Sequence, residues 1–154
     1  MKEIASDRSG KKLRIGLVVS RFNAPVTEGL LQGAFRGLKS AGVSKRAVTL
    51  LRVPGAFELP GASQRLALTG DVDAIVCLGA VIRGETEHFT FISSAAQQGI
   101  MEVMLSTGVP VIFGVLTTET GEQALARSGE DDSNKGYEAA LDAVEMANLY
   151  RNLR

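Results

Sequence analysis

His88 is the single histidine in the chain, and histidine is the side chain whose ordinary pKa best suits proton transfer near neutrality. It follows Gly79-Ala80-Val81-Ile82-Arg83-Gly84-Glu85-Thr86, which nearly spells the phosphate-loop pattern G-x-x-x-x-G-K-[ST] but puts Glu85 where the phosphate-binding lysine belongs. That departure argues against a nucleoside triphosphate site. A glycine turn opening a helix remains, and free backbone N–H groups at such a place can hold one small anion. An ordinary strand-to-helix turn with Thr86 as N-cap fits the same letters. Phe22, Phe57 and Phe113 each follow or end a short apolar run, and together they are half of the six phenylalanines. Each taken alone reads as core filler, whereas the coincidence suggests a flat ring to be stacked. Glu58 could bind sugar-like hydroxyls or sit as a solvated first-turn carboxylate. Arg127 and Lys135 flank Ser128-Gly-Glu-Asp-Asp-Ser-Asn134; they could serve an anionic substrate or balance three acidic neighbours. Neither a second histidine nor a second cysteine is available at ligand spacing, so no metal site is expected.

The elements that must position these residues follow from hydrophobic periodicity. Arg14 to Ser20, Ala47 to Val53, Asp73 to Ile82 and Val109 to Leu116 are short, apolar and β-branched, and read as buried strands. Helical spacing covers Pro25 to Ala41, Leu59 to Thr69 and His88 to Thr107, each closing near a glycine (Gly42, Gly70, Gly108). A short helix, Gly121 to Arg127, and a longer one, Lys135 to Arg151, complete the chain. Crossover helices imply parallel strands, and strands apolar on both faces imply helices above and below: a three-layer α/β fold around a four-stranded parallel sheet. In such a sheet ligands bind beyond the carboxyl ends of the strands, which is where the residues above fall. Gly29, Gly33 and Gly37, four apart in the first helix, predict a flat stripe lying close to the sheet or to another chain, with a ligand groove as the other reading.

Composition bounds the function class. The 154 residues carry 17 Lys plus Arg against 17 Asp plus Glu, a formal charge of zero, from which a basic nucleic-acid-binding face is hard to build. With 45% hydrophobic and 22% charged residues, one packed domain over residues 1–154 is expected, with residues 1–13 as an extended N-terminal arm. The longest apolar stretch, Ala74 to Ile82, is short of the roughly 20 residues a membrane span needs, and the opening MKEIASDRSGKK has no apolar core for export. Cys77 is the only cysteine, which excludes an internal disulfide and fits a reducing, cytoplasmic setting.

Five blocks, taken together and in order, resemble the 6,7-dimethyl-8-ribityllumazine synthase family of riboflavin biosynthesis: SRFN at 20–23, VPGAFELP at 53–60, LGAVIRGETEHF at 78–89, GVPVIFGVLTTET at 108–120, and ARSG followed by NKG and EAALDAVEMANLYR. The resemblance implies a flavodoxin-like sheet and a cofactor-free transferase. Its reaction joins 5-amino-6-(D-ribitylamino)uracil to 3,4-dihydroxy-2-butanone 4-phosphate and releases phosphate and water. By the same resemblance Phe22 stacks on the pyrimidine, Ala56, Phe57 and Glu58 hold the ribityl chain, and the backbone near Val81 and Ile82 reads the ring edge. Gly84, Glu85 (through its amide), Thr86 and Arg127 hold the phosphate, and His88 shuttles protons. Phe113, Arg127 and Lys135 are expected from a neighbouring copy, in a ring of five chains or a shell of sixty, with riboflavin synthase as a possible associate. Relatives that stop at the ring often carry extra residues before the last helix, and this chain does not. Thr90 and Phe91 stand where many relatives have an acidic residue and tyrosine, so a carboxylate that could tune the histidine is missing. The loop Glu130-Asp131-Asp132 is acidic where relatives are often neutral or basic. The alternatives are a paralogous riboflavin synthase, which would release no phosphate, and a flavin-binding or shell-forming protein without catalysis.

Overall fold

The computed structural model describes residues 1–154. Four parallel strands, β1 (Ile15–Ser20), β2 (Val48–Val53), β3 (Ala74–Ile82) and β4 (Val111–Thr118), form one sheet in the order β2-β1-β3-β4. Five helices connect and flank them: α1 (Ala24–Ser40), α2 (Leu59–Ala67), α3 (His88–Thr107), α4 (Gly121–Ala126) and α5 (Lys135–Asn152). This is the three-layer, flavodoxin-like α/β arrangement expected from the alternation of elements. α1 and α5 cover one face over a core that includes Leu17, Val19, Leu30, Leu78 and Val144. α2 and α3 cover the other over Val18, Leu59, Ile75, Cys77 and Ile100. Each fully buried leucine or valine in these layers contributes about 1.5–3 kcal/mol of hydrophobic stabilisation. No helix is long and apolar enough to cross a membrane.

The chain leaves β1 toward β2, then crosses back past β1 to β3, so the strand order reverses between β1 and β3. Register places Ser20 level with Val53, and Val19 level with Leu78. The loops after β1, β2 and β3 therefore emerge side by side around the reversal, where an open α/β sheet has its natural crevice.

Three expectations need correction. β2 was expected to be buried, yet Thr49, Leu50 and Arg52 are exposed, because β2 is an edge strand whose outer face meets only part of a helix layer. β4 begins at Val111, not Val109; Pro110 has no N–H for the ladder and contributes only its carbonyl, which accepts from Ile75 N at 2.8 Å. The glycine stripe of α1 faces neither the sheet nor another chain. A Cβ on Gly29 would overlap the Ser128 carbonyl, one on Gly33 the Asn134 side chain, and one on Gly37 would lie 2.8 Å from the Tyr137 carbonyl.

The stripe thus seats the turn that starts α5. Asn134 is fully buried; its Oδ1 accepts from Gly136 N at 2.8 Å and Tyr137 N at 3.1 Å, and its Nδ2 donates to the carbonyls of Gly29 at 3.0 Å and Gly129 at 2.7 Å. Gly33→Ala is expected to destabilise the fold by about 1–3 kcal/mol, because the displaced cap and overpacking outweigh the roughly 1 kcal/mol helix-propensity gain. Urea unfolding reads this directly, and a stability equal to or above wild type would show that Asn134 can move aside without loss.

Ahead of β1, the chain runs along α5. Asn152 Nδ2 donates to the Ala5 carbonyl at 2.7 Å, Asn148 Nδ2 to the Asp7 and Ser9 carbonyls at 3.0 and 2.9 Å, and Arg8 pairs with Glu145 at 3.0 Å. At the sheet end remote from the crevice, Asp73 lies 3.3 Å from Arg14 and 3.2 Å from Arg151. Partial burial alone would raise its pKa, but the Arg14 hydrogen bonds and the charges of Arg151 and Arg14 hold the carboxyl below the usual range.

Candidate active site

The crevice is a cleft of about 610 Å³. Phe22, Ala56, Phe57, Glu58, Val81, Ile82, Gly84, Thr86 and His88 all line it, so most of the residues singled out from sequence come together in one place. Glu85 belongs to the same turn but is not part of the wall, and its side chain is exposed.

Local physics explains how each residue arrives there. Asn23, directly after Phe22, has φ 62° and ψ 46°, the left-handed region that asparagine tolerates better than most side chains. This bend lets the chain reverse from β1 into α1. Asn23 Nδ2 donates to the Ala80 carbonyl on β3 at 2.8 Å, and Phe22 N donates to the Pro54 carbonyl at 3.1 Å. The backbone that carries Phe22 is thereby tied to β3 and to the loop after β2, at the wall of the cleft. Phe22 is 70% exposed, Phe57 60% and Phe113 42%; none of the three is core filler. Glu58 Oε2 accepts from Gly55 N at 2.9 Å and closes the single 3₁₀ turn Ala56–Glu58. This carboxylate therefore shapes its own loop as well as facing the cleft.

α3 begins at His88, as its helical spacing indicated, but the N-cap is Glu87 with no side-chain cap bond, and not Thr86. Thr86 Oγ1 instead accepts from His88 N at 3.4 Å. The first-turn amides of a 20-residue helix thus open beside Gly84 and Thr86. Phe89 and Ile92 complete the apolar wall; the signal for them was their helical spacing after His88. Asn23 is a positioning residue that motif spacing alone does not single out; its signal is an asparagine at a strand-to-helix reversal.

Phe113, Arg127 and Lys135 line a second depression of about 310 Å³ beside β4 and α5, which shares no lining residue with the first. Within one chain the structure does not bring them to the cleft. Arg127 Nη1 donates to the Gln123 carbonyl at 2.9 Å, Lys135 N to the Arg127 carbonyl at 2.8 Å, and Lys135 Nζ pairs with Glu138 at 2.9 Å. Asp142 lines the same depression; partial burial pushes its carboxyl up, Arg8 pulls it down, and Glu145 and Glu138 push it up further.

Cys77 is buried on β3, where desolvation pushes its thiol up to about 12 despite a hydrogen bond with Ser63. It is no thiolate nucleophile. No group of three or more His, Cys, Asp or Glu side chains is placed to hold a metal ion.

The cleft thus offers exposed aromatic faces, a carboxylate, a histidine and the backbone amides of a turn at a helix start, a set suited to a flat heterocycle and a small anion. Comparison with known proteins gives the family. The family model described as 6,7-dimethyl-8-ribityllumazine synthase matches residues 12–151. A Chlorobium luteolum protein named 6,7-dimethyl-8-ribityllumazine synthase is 48% identical over 153 residues, 99% of this chain and 99% of its own length. With a match of that extent, the chain belongs to the 6,7-dimethyl-8-ribityllumazine synthase family.

Proposed function

We propose that the chain is the transferase that condenses 5-amino-6-(D-ribitylamino)uracil with 3,4-dihydroxy-2-butanone 4-phosphate in riboflavin biosynthesis, releasing phosphate and water. The observation that carries this reading is the gathering of Phe22, Phe57, Glu58, His88 and the Gly84–Thr86 turn in one cleft of a family member. Phe22 stacks on the pyrimidine. The backbone of Ala56, Phe57 and the free oxygen of Glu58 take the ribityl hydroxyls, and the strand end at Val81 and Ile82 meets the polar ring edge. The amides of Gly84, Glu85 and Thr86 hold the phosphate at the start of α3. Held together there, amine and ketone react as neighbours. His88 moves the protons as the amine adds, phosphate is eliminated and the ring closes.

Phe113, Arg127 and Lys135 complete this site from an adjacent copy, Arg127 with a charge-assisted fork to the phosphate. Incubation with both substrates is expected to release inorganic phosphate in step with the lumazine chromophore. Chromophore-free mixtures, or turnover of the lumazine alone without phosphate release, would overturn the assignment.

By the family resemblance we propose that the copies sharing a site form a closed head-to-tail ring of five chains, with twelve rings forming a shell. Only seven residues separate Arg127 from Lys135, a loop without insertion. Glu130, Asp131 and Asp132 would meet their symmetry copies where such loops converge, so shell closure is expected to strengthen with salt. Five chains of 16.3 kDa make about 82 kDa and sixty about 980 kDa, which light scattering separates. A single species near the smaller mass at every ionic strength would overturn the shell, and a monomer at micromolar concentration the ring.

A further inference from the structure

The loop between β3 and α3 is thinly anchored. Gly84, Glu85, Thr86 and Glu87 are all exposed, and a Cβ on Gly84 would meet nothing within 4 Å. At its head stands Arg83, whose backbone N–H donates to the Thr118 carbonyl at 2.9 Å. The side chain adds two contacts. Its guanidinium carbon lies 4.4 Å from the centroid of the Phe89 ring, and its Nε lies 2.8 Å from Glu119 Oε2. Phe89 is on the far side of the loop, in the first turn of α3, and Glu119 directly follows β4. The Arg83 side chain therefore closes the loop on itself through Phe89 and ties it to the neighbouring strand end through Glu119.

We infer that Arg83 is a positioning residue that holds the 84–87 loop ready for the phosphate-bearing substrate without binding the phosphate itself. The inference rests on the function proposed above. A planar guanidinium can stack on a ring while an edge N–H meets a carboxylate, which a lysine ammonium cannot do equally well. Both contacts are partly exposed, and together they are worth about a five-fold change in an equilibrium. That effect appears as pre-organisation: backbone amides already in place bind an anion more tightly than amides that must be ordered first.

The test uses the intact oligomer and four variants: Arg83→Met, Arg83→Lys, Glu119→Gln and the Arg83→Met/Glu119→Gln pair. Amide hydrogen exchange, read without any substrate, is expected to be about five-fold faster over residues 84–88 in Arg83→Met and less accelerated in Glu119→Gln. In steady-state assays the KM for the butanone phosphate should rise about five-fold in Arg83→Met, with kcat and the KM for the uracil changed less than about two-fold. Arg83→Lys should recover only part of the loss, because an ammonium cannot make both contacts at once, and the double variant should be no worse than Arg83→Met, because both substitutions break one contact system. Unchanged exchange in both Arg83→Met and Glu119→Gln would overturn the inference whatever the activity. An equal rise in both KM values would also overturn it, as would strict additivity of the two substitutions. A wild-type oligomer that turned over neither substrate would count against the proposed function, and the exchange data would still decide whether Arg83 orders the loop.

Discussion

Replacing His88 with alanine is expected to lower turnover by roughly 10² to 10⁴-fold, the range that a positioned proton carrier supplies. The ring sits in the first turn of α3 on the wall of the cleft and is exposed to it. It can therefore reach a bound amine or ketone without any movement of the fold. Removing it takes away the proposed proton shuttle but leaves Phe22, Glu58 and the Gly84–Thr86 turn, which lie on other loops or ahead of it in the chain. Binding of a ribityl-pyrimidine analogue should therefore change little. Some acceleration should survive as well, since orientation of two reactants is worth several kcal/mol even without a proton carrier. Steady-state kinetics beside calorimetry separate the two effects. An unchanged kcat would remove His88 from the mechanism, and a large loss of analogue binding would make it a packing residue.

The placement of His88 was legible because two local signals agree there: the glycine at 84 ends the extended run, and apolar spacing characteristic of a helix begins at 88. The same applies to the strand order of events, in which four β-branched runs alternate with helical ones. What could not be read was anything decided by partners distant in sequence. The run VTLLRV of β2 has the letters of a buried strand, but its exposure is set by its place at the sheet edge, which depends on the crossover from β2 to β3. The α1 glycines announced a close approach without naming the other side, because Asn134 and Tyr137 lie about a hundred residues further on. Phe57 shows a different limit: its exposure follows from a local 3₁₀ turn, which Glu58 closes by accepting from Gly55 N, and the letters Gly-Ala-Phe-Glu do not by themselves announce that turn. Asn23, by contrast, carries a local signal, since an asparagine between a strand and a helix is a common way to enter the left-handed region.

Arg127→Ala is expected to weaken the phosphate-bearing substrate by roughly 10- to 150-fold while the uracil binds nearly as before, because hydrogen bonds to charged groups are worth about 1.5–3 kcal/mol. Phe22→Ala should do the reverse, reducing uracil binding through loss of the stacking face. Phe22 and Arg127 line separate depressions of one chain, so under the proposed shared site the two variants carry their defects on opposite sides of an interface. In a head-to-tail ring each site takes Phe22 from one copy and Arg127 from the next. When Phe22→Ala and Arg127→Ala chains mix at random in equal amounts, about a quarter of the junctions pair an intact Phe22 with an intact Arg127, since each choice falls out right about half the time. Mixed rings, isolated through two different tags, should then regain about a quarter of wild-type activity although each variant alone is nearly inactive at limiting substrate. Junctions of the opposite kind lack both groups and contribute nothing, so the recovery cannot exceed that of the intact fraction by more than the residual activity of the single variants. Absence of recovery in rings shown to contain both chains would mean that the two residues serve one site within a single subunit.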